Sequence, residues 1–344
     1  MRSCLTVIST TVLTLLSGAT MAQTTLYVGG SGGSTETLMK EKIIPPFEAR
    51  SGAKVVYVPG NSTDILAKIQ AQKGRQEISL AIIDDGPMYQ AVGQGLCAPV
   101  EKAGSVTELY SNAEMVGAKS VGIGFIATGL GYNKDVFKRN GWAPPTSWND
   151  LADPKYKGKV VIPPITNGYG LLTLVMQARI HGGGEDRIEP GFDAMARKIG
   201  PNVLAWEPSP GKMAQMMQTG EGALVVWGNG RVQAVADQGA PVEFVFPKEG
   251  APVIMVAACV TQGAPQARLG QQFLQHLVSA EMQAHIAQGV GWGPVNKNTK
   301  ISPEVARKVV YGPQQVASLV APNYEVINAK RAEWTQRWNR AVEK

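Results

Sequence analysis

The sequence predicts an α/β architecture divided into two domains or lobes, and three observations predict it. Continuous apolar runs without alternation, such as residues 78–83 and 160–162, are interleaved with helix-length segments, the pattern of a parallel sheet buried on both faces. At 344 residues the chain is too long for one small core and comfortable for two. Hydrophobic residues make up 44% and charged ones only 17%, so there is enough apolar surface to fill both.

The chain opens on a processing signal. Arg2 supplies the positive start, residues 5–16 an apolar run too short to span a bilayer comfortably, and Thr20-Met-Ala a cleavage site near Ala22. A signal peptide over residues 1–22 and export to the periplasm are expected. Cys4 precedes the apolar run, which argues against a lipoprotein anchor. Cleavage removes only Arg2 among charged residues, taking the net charge from +6 to +5. No later stretch reaches transmembrane length, so the mature part is expected to be soluble.

Residues 25–28 form a β-type run that enters Gly29-Gly-Ser-Gly-Gly-Ser-Thr35, with a helix predicted over 36–49. A glycine and hydroxyl loop at a helix start gathers N–H groups and hydroxyls where a carboxylate or phosphate can sit, making Ser31, Ser34 and Thr35 candidate ligand residues. Residues 55–59 are the second strand, and Asn61-Ser-Thr-Asp caps a helix with Ile65, Leu66 and Ile69 on one face. The strand over 78–83 delivers Asp84 and Asp85 to the same crevice, because ligands gather beyond the carboxyl ends of parallel strands.

Residues 121–132, apolar and glycine-punctuated, suit a strand that passes between lobes. A helix is predicted over 133–140, and Pro144-Pro-Thr-Ser-Trp opens a capped one. The strand over 160–162 leads through Pro163-Pro-Ile-Thr-Asn-Gly-Tyr169 into a strong helix over 170–180. Thr166 and Asn167 at its start read either as caps alone or, with Tyr169, as a second anion site. Helical pieces over 191–199 and 210–219 follow, and Met213, Met216 and Met217 read as core filler by their helical spacing.

Residues 223–256 form the most informative stretch. A buried strand over 223–226 runs into Trp227-Gly-Asn-Gly-Arg231, then a helix over 232–238 and two strand-like runs split by Pro247-Lys-Glu-Gly. Trp227 reads either as a pocket wall, its glycines letting the backbone approach a guest, or as a packed domain edge. Arg231 reads either as a ligand donor or as a solvated cation at a helix start. Helices over 267–279 and 280–288 follow. A tail helix over 323–343 is expected to close a core with Ile327, Trp334 and Trp338.

Several chemistries are excluded. The positive charge is moderate and spread, without the basic face and interleaved aromatics of a nucleic-acid binder; it favours anionic ligands or acidic surfaces. Cys97 and Cys259 sit inside apolar runs and are expected to be two buried free thiols in place of a bridge. Ser31 matches a nucleophile elbow, yet of His181, His276 and His285 the latter two lie in helical patterns, which argues against a hydrolase. Gly122-Ile-Gly-Phe-Ile-Ala matches the dinucleotide fingerprint with no helix after it. The histidines lack metal-ligand spacing, no adjacent tyrosines suggest a ferric site, and Asp84-Asp85 has no partner nucleophile or metal motif. Recognition without chemistry is expected, with no cofactor.

At Ser147-Trp-Asn-Asp-Leu-Ala-Asp-Pro-Lys-Tyr-Lys-Gly-Lys, Trp227-Gly-Asn-Gly, Pro247-Lys-Glu-Gly and Gly291-Trp-Gly-Pro-Val-Asn, the chain resembles a periplasmic solute-binding protein of an ABC transporter. It is most similar to the family 1 cluster of spermidine/putrescine and ferric-ion binders. The resemblance covers essentially the whole mature chain. It implies the type 2 periplasmic-binding fold: two α/β lobes joined by crossover hinge strands, closure on a solute in the cleft, and delivery to an inner-membrane ABC permease. A monomeric, non-enzymatic receptor follows. Lobe 1 would comprise 23–128 and 253–300 and lobe 2 would comprise 129–252, with 301–344 assigned to neither.

In polyamine binders the counterpart of Trp227 flanks the aliphatic part of the ligand. Their second tryptophan and an acid fall here at Ile254 and Val256, and their acidic pair near Ile165 and Gly168. The carboxylates that neutralise ammonium groups are thus absent at these positions, and burying an unpartnered cation costs several kcal/mol. Ser31, Ser34, Thr35, the stretch from Thr166 through Asn167 to Tyr169, and Arg231 offer donors, while Asp84 and Asp85 remain for one ammonium. The expected solute is a small carboxylate, amino-carboxylate or phosphonate stacked on Trp227; a polyamine binder is the first alternative and a periplasmic hydrolase using Ser31 the second.

Overall fold

A computed structural model describes residues 23–343, so the signal-peptide expectation for residues 1–22 lies outside the described residues. Its strands are β1 Thr25–Gly30, β2 Lys54–Pro59, β3 Ile78–Asp84, β4 Val121–Asn133, β5 Val160–Ile162, β6 Val203–Trp206, β7 Leu224–Gly228, β8 Val242–Val245, β9 Ala251–Val260 and β10 Leu319–Val320. They run in the order β2-β1-β3-β9-β4-β7-β5-β6, with β8 beside β4 and β10 beside β9. β2, β1 and β3 are parallel, as are β7, β5 and β6; β9 and β4 enter antiparallel between the two groups.

Helices connect and cover them. Those of the first half are α1 Ser34–Leu38, α2 Ile44–Ser51, α3 Ser62–Ala71 and α4 Asp85–Gly93. Next come α5 Lys134–Arg139, α6 Gly168–Ile180, α7 Glu189–Asp193, α8 Pro210–Thr219 and α9 Asn229–Asp237. The last are α10 Ala267–Leu277, α11 Ala280–Val290, α12 Pro303–Ala306, α13 Pro313–Ala317 and α14 Tyr324–Ala341. The helix expected over 36–49 is divided by a wide turn, Met39–Ile43, just before Pro45 and Pro46. Proline has no N–H to continue the i→i−4 ladder, so the hydrogen bonding shifts register there. The helix opened by Ser147 is a single tight turn, Trp148–Ala152, closed by a Ser147/Asp150 capping box.

The long strand β4 shows how one strand serves two cores. Its residues 121–127 pair with β9, and its residues 128–133 pair with β7 and β8. Correspondingly, Phe125 and Ala127 belong to a first apolar core built from residues 26–127 and 251–316, while Leu130 and Tyr132 belong to a second built from residues 130–226 and 324–342. The pleat of β5 and β7 separates the second core from a third: Val160, Ile162, Leu224 and Val226 face the former, and Val161, Val225 and Trp227 the latter. Met213, Met216 and Met217 fill that third core, as their spacing predicted.

The carboxy-terminal segment splits between the cores. Val310 and Val316 join the first; Tyr324, Ile327, Trp334 and Trp338 of α14 join the second. The two tryptophans are 1% and 0% exposed. Each such ring buries about 150–250 Å², so α14 is held firmly at its carboxy-terminal end.

Two expectations need correction. Residues 203–206, not read as a strand, pair with β5 as β6; Val-Leu-Ala-Trp is apolar, but four residues on a partly exposed edge make too short a run to mark a strand. Cys97 and Cys259 are buried as expected but are joined in a disulfide, with Cα atoms 5.7 Å apart. Cys97 forms a bridge with Thr261 at the end of β9, which lays the two apolar segments side by side. Local composition conveys burial and says nothing of that adjacency.

Candidate functional site

The carboxyl end of β3, the corner from β5 into α6, and the start of α9 meet at one crevice. Asp84 ends β3, half-buried, its N–H donating to Ser62 Oγ at 3.0 Å. Burial raises its carboxyl, while the Ser62 hydroxyl and Arg231 pull it back down. Arg231 lies in the first turn of α9 with its side chain exposed, close enough to Tyr169 to lower its phenol. Burial raises the Tyr169 phenol, with Arg231 acting the other way.

Asp85, next in sequence, has another role. It is 3% exposed and accepts from Met255 N–H at 2.9 Å and from Gly86 N–H at 3.0 Å, with the Tyr324 hydroxyl also against it. Burial, reinforced by neighbouring Asp84, pushes the Asp85 carboxyl up to about 8, its hydrogen bonds notwithstanding. It therefore ties β9 and α14 to the start of α4, and its oxygens are already engaged.

The corner from β5 into α6 is well made. Asn167 caps α6 by accepting from Tyr169 N–H at 2.9 Å; the Thr166 side chain is exposed, and its carbonyl accepts from Arg331 Nη2 at 3.2 Å. Trp227 is 3% exposed within the third core, against which Tyr169 packs. The indole thus lies in the layer that supports Tyr169.

The other corner, from β1 into α1, is less equipped. Tyr57 donates its hydroxyl to the Ser31 carbonyl at 2.8 Å; Ser31 is half-buried, Ser34 exposed, and Thr35 7% exposed. Gly33 precedes α1 without a side-chain cap, and Glu36 is paired with Lys40 at 2.6 Å.

Three participants were not found in the sequence. Asn229 accepts from Ala127 N–H at 3.0 Å and donates to the Lys308 carbonyl at 2.8 Å, joining β4, α9 and the carboxy-terminal segment. Its place between glycines after a buried strand was the available signal. Tyr324 and Arg331 come from α14, more than 230 positions from Asp85 and 165 from Thr166 respectively, and nothing local marks them.

A nucleophilic reading finds no support in the histidines. His276 Nε2 contacts the Ile43 carbonyl and its Nδ1 contacts Arg50, while His181 Nδ1 lies 2.9 Å from the Gln177 carbonyl. Among the described residues no group of three or more His, Cys, Asp or Glu is arranged to hold a metal ion. What the crevice brings together is a carboxylate, a guanidinium and a phenol close enough to influence one another's charge.

Comparison with known proteins agrees. A protein named for 2-aminoethylphosphonate binding in the periplasm of Salmonella paratyphi A is 24% identical over 307 residues, 86% of each chain. The spermidine/putrescine-binding periplasmic protein of Escherichia coli is 26% identical over 214 residues, 60% of this chain and 56% of that one. The crystal structure of an ABC transporter protein from Clostridium perfringens superposes with a TM-score of 0.80 at 23% identity, covering 92% of this chain and 99% of that one. The fold is thus the two-lobed one of periplasmic binding proteins. A model of the bacterial extracellular solute-binding protein family matches residues 42–311, and the chain belongs to that family.

Proposed function

We propose that this chain is the periplasmic receptor of an ABC importer, taking up a small solute that bears an acidic group and an ammonium group, an amino-carboxylate or aminophosphonate. The observation that carries this reading is the arrangement of Asp84 opposite Arg231 and Tyr169. Arg231 lowers the Asp84 carboxyl electrostatically, yet among the described residues the two form no ion pair within 4.0 Å. Opposite charges held apart across a crevice suit a ligand carrying the complementary charges at its two ends. The name of the Salmonella relative supports the same chemistry.

In this reading the first core belongs to lobe 1, residues 23–128 and 253–317, and the second and third to lobe 2, residues 129–252 with α14. The segments through β4 and from Phe246 into β9 act as hinge strands, and closure creates the surface presented to the permease. Residues 1–22 serve as the export signal, and the receptor works as a monomer.

Titration calorimetry with 2-aminoethylphosphonate, 3-aminopropanoate, 4-aminobutanoate, putrescine and spermidine tests the proposal. Wild-type protein is expected to bind one of the zwitterions reversibly without turnover. Arg231→Ala is expected to weaken it about 10- to 100-fold, the worth of a charge-assisted hydrogen bond. Asp84→Asn is expected to erase the preference for an amino ligand over its deaminated analogue. Binding of the polyamines alone, or an Arg231→Ala variant as tight as wild type, would overturn it.

A further inference from the structure

We infer that Arg331, carried into the crevice by α14, is a ligand-contacting residue that makes the site select a doubly charged PO3 group over a carboxylate. This rests on the cleft reading above and extends it to a residue outside the sequence-predicted set.

Position is the first argument. Arg331 Nη2 donates to the Thr166 carbonyl at 3.2 Å, at one end of the turn whose other end holds Tyr169 and Arg231. Its Nη1 lies 3.9 Å from the place a methyl group on Gly86 would occupy, so the same guanidinium reaches the start of α4 just after Asp84 and Asp85. The head group therefore stands between the β3–α4 and β5–α6 corners, where a solute gripped by both lobes must lie.

Unspent bonding capacity is the second. The other half-buried arginines have carboxylate partners: Arg179 is bound by Glu185 and Arg337 by Glu189. Arg331 is half-buried, and among the described residues it has no carboxylate within 4.0 Å. Thr166 is the acceptor recorded for it, against five N–H donors on a guanidinium. Burial depresses its basicity, with only the Tyr324 phenol acting in the other direction. Holding a desolvated guanidinium without a counter-charge is unfavourable unless an anion arrives.

Charge complementarity is the third. With Asp84 engaged by a ligand ammonium, Arg231 and Arg331 leave the crevice with one positive charge in excess. An aminoalkyl phosphonate or phosphate ester dianion carries one net negative charge and matches it. An amino-carboxylate or aminosulfonate is net neutral and does not. Three oxygens on a tetrahedral centre also let two separate guanidiniums bind the same group.

Calorimetry of the purified protein with 2-aminoethylphosphonate, phosphoethanolamine, 3-aminopropanoate and taurine tests the inference. Wild-type protein should bind a PO3 ligand more tightly than the carboxylate or the sulfonate; whichever PO3 ligand is tighter tells a carbon–phosphorus compound from an ester. Arg331→Gln should weaken that ligand about 10- to 100-fold while leaving 3-aminopropanoate and taurine nearly unchanged. Arg331→Lys, which keeps the charge and loses the fork, should fall between, and it carries the same readout if Arg331→Gln does not fold. Equal weakening of all ligands would make Arg331 a structural bridge to Thr166 and overturn the inference while leaving the cleft reading intact. Wild-type protein that binds 4-aminobutanoate but none of these ligands would overturn the inference alone, and wild-type protein that binds none of the five would overturn both.

Discussion

The two strand-to-helix corners, Gly30 to Thr35 and Pro163 to Tyr169, start from similar materials: glycines and hydroxyl-bearing residues after a parallel strand. Their surroundings differ. The first feeds a five-residue helix with no side-chain cap, and its acidic residue, Glu36, is neutralised by Lys40. The second feeds a thirteen-residue helix capped by Asn167, with Arg231 near one end and Arg331 at the other. Hydroxyls and N–H groups give direction to an anion site, and guanidiniums give it most of its attraction. Only the second corner has both.

The largest expected effect lies at Asp85, buried at the start of α4 against β9. Its carboxyl is raised in the folded protein to about 8, from 3.8. The neutral form is thus favoured by folding: the contribution is fully present below about pH 4 and is lost as pH rises through about 8, with a ceiling of about 6 kcal/mol. Urea unfolding at pH 5 and pH 9 should show wild type losing stability and Asp85→Asn losing distinctly less. Parallel losses would place the sensitive group elsewhere.

Next is the tightness of each corner. A methyl group on Gly170 would overlap the carbonyl oxygens of Pro163 and Pro164, whereas one on Gly33 meets nothing within 4 Å and suffers only from its φ of +66°. Gly170→Ala should cost about 3 kcal/mol and Gly33→Ala about 1–2 kcal/mol in thermal or urea unfolding. A reversed order would mean that the second corner is the looser one.

The smallest contrast concerns the caps. Asn167→Ala should cost about 1 kcal/mol, while Ser34→Ala, exposed and capping nothing, should stay within about 0.5 kcal/mol by the same measurement. Equal costs would remove the structural distinction between the helix starts.

Much of the fold was legible because it rests on local pattern. The apolar runs at 78–83 and 160–162 became central strands, Asn61 and Asn167 became caps, and Ile327, Trp334 and Trp338 became core residues. The site was only partly legible. Asp84, Tyr169 and Arg231 meet, but Asp85, one position from Asp84, is consumed by Met255 and Gly86, and Trp227 packs beneath Tyr169. Two adjacent carboxylates look alike in sequence. They differ once one points at backbone N–H groups and the other at a crevice.

Most element types, the helix caps and the core faces were determined by the sequence itself, since periodicity and capping act within a few residues of each other. Tertiary structure alone decided which cysteine neighbours which, which aspartate is bonded to β9, and that an arginine of the last helix reaches the turn before α6. Met255 and Asp85 are 170 positions apart, and Arg331 and Thr166 are 165 apart. Desolvation and charge proximity depend on distance in space, which a linear pattern does not carry.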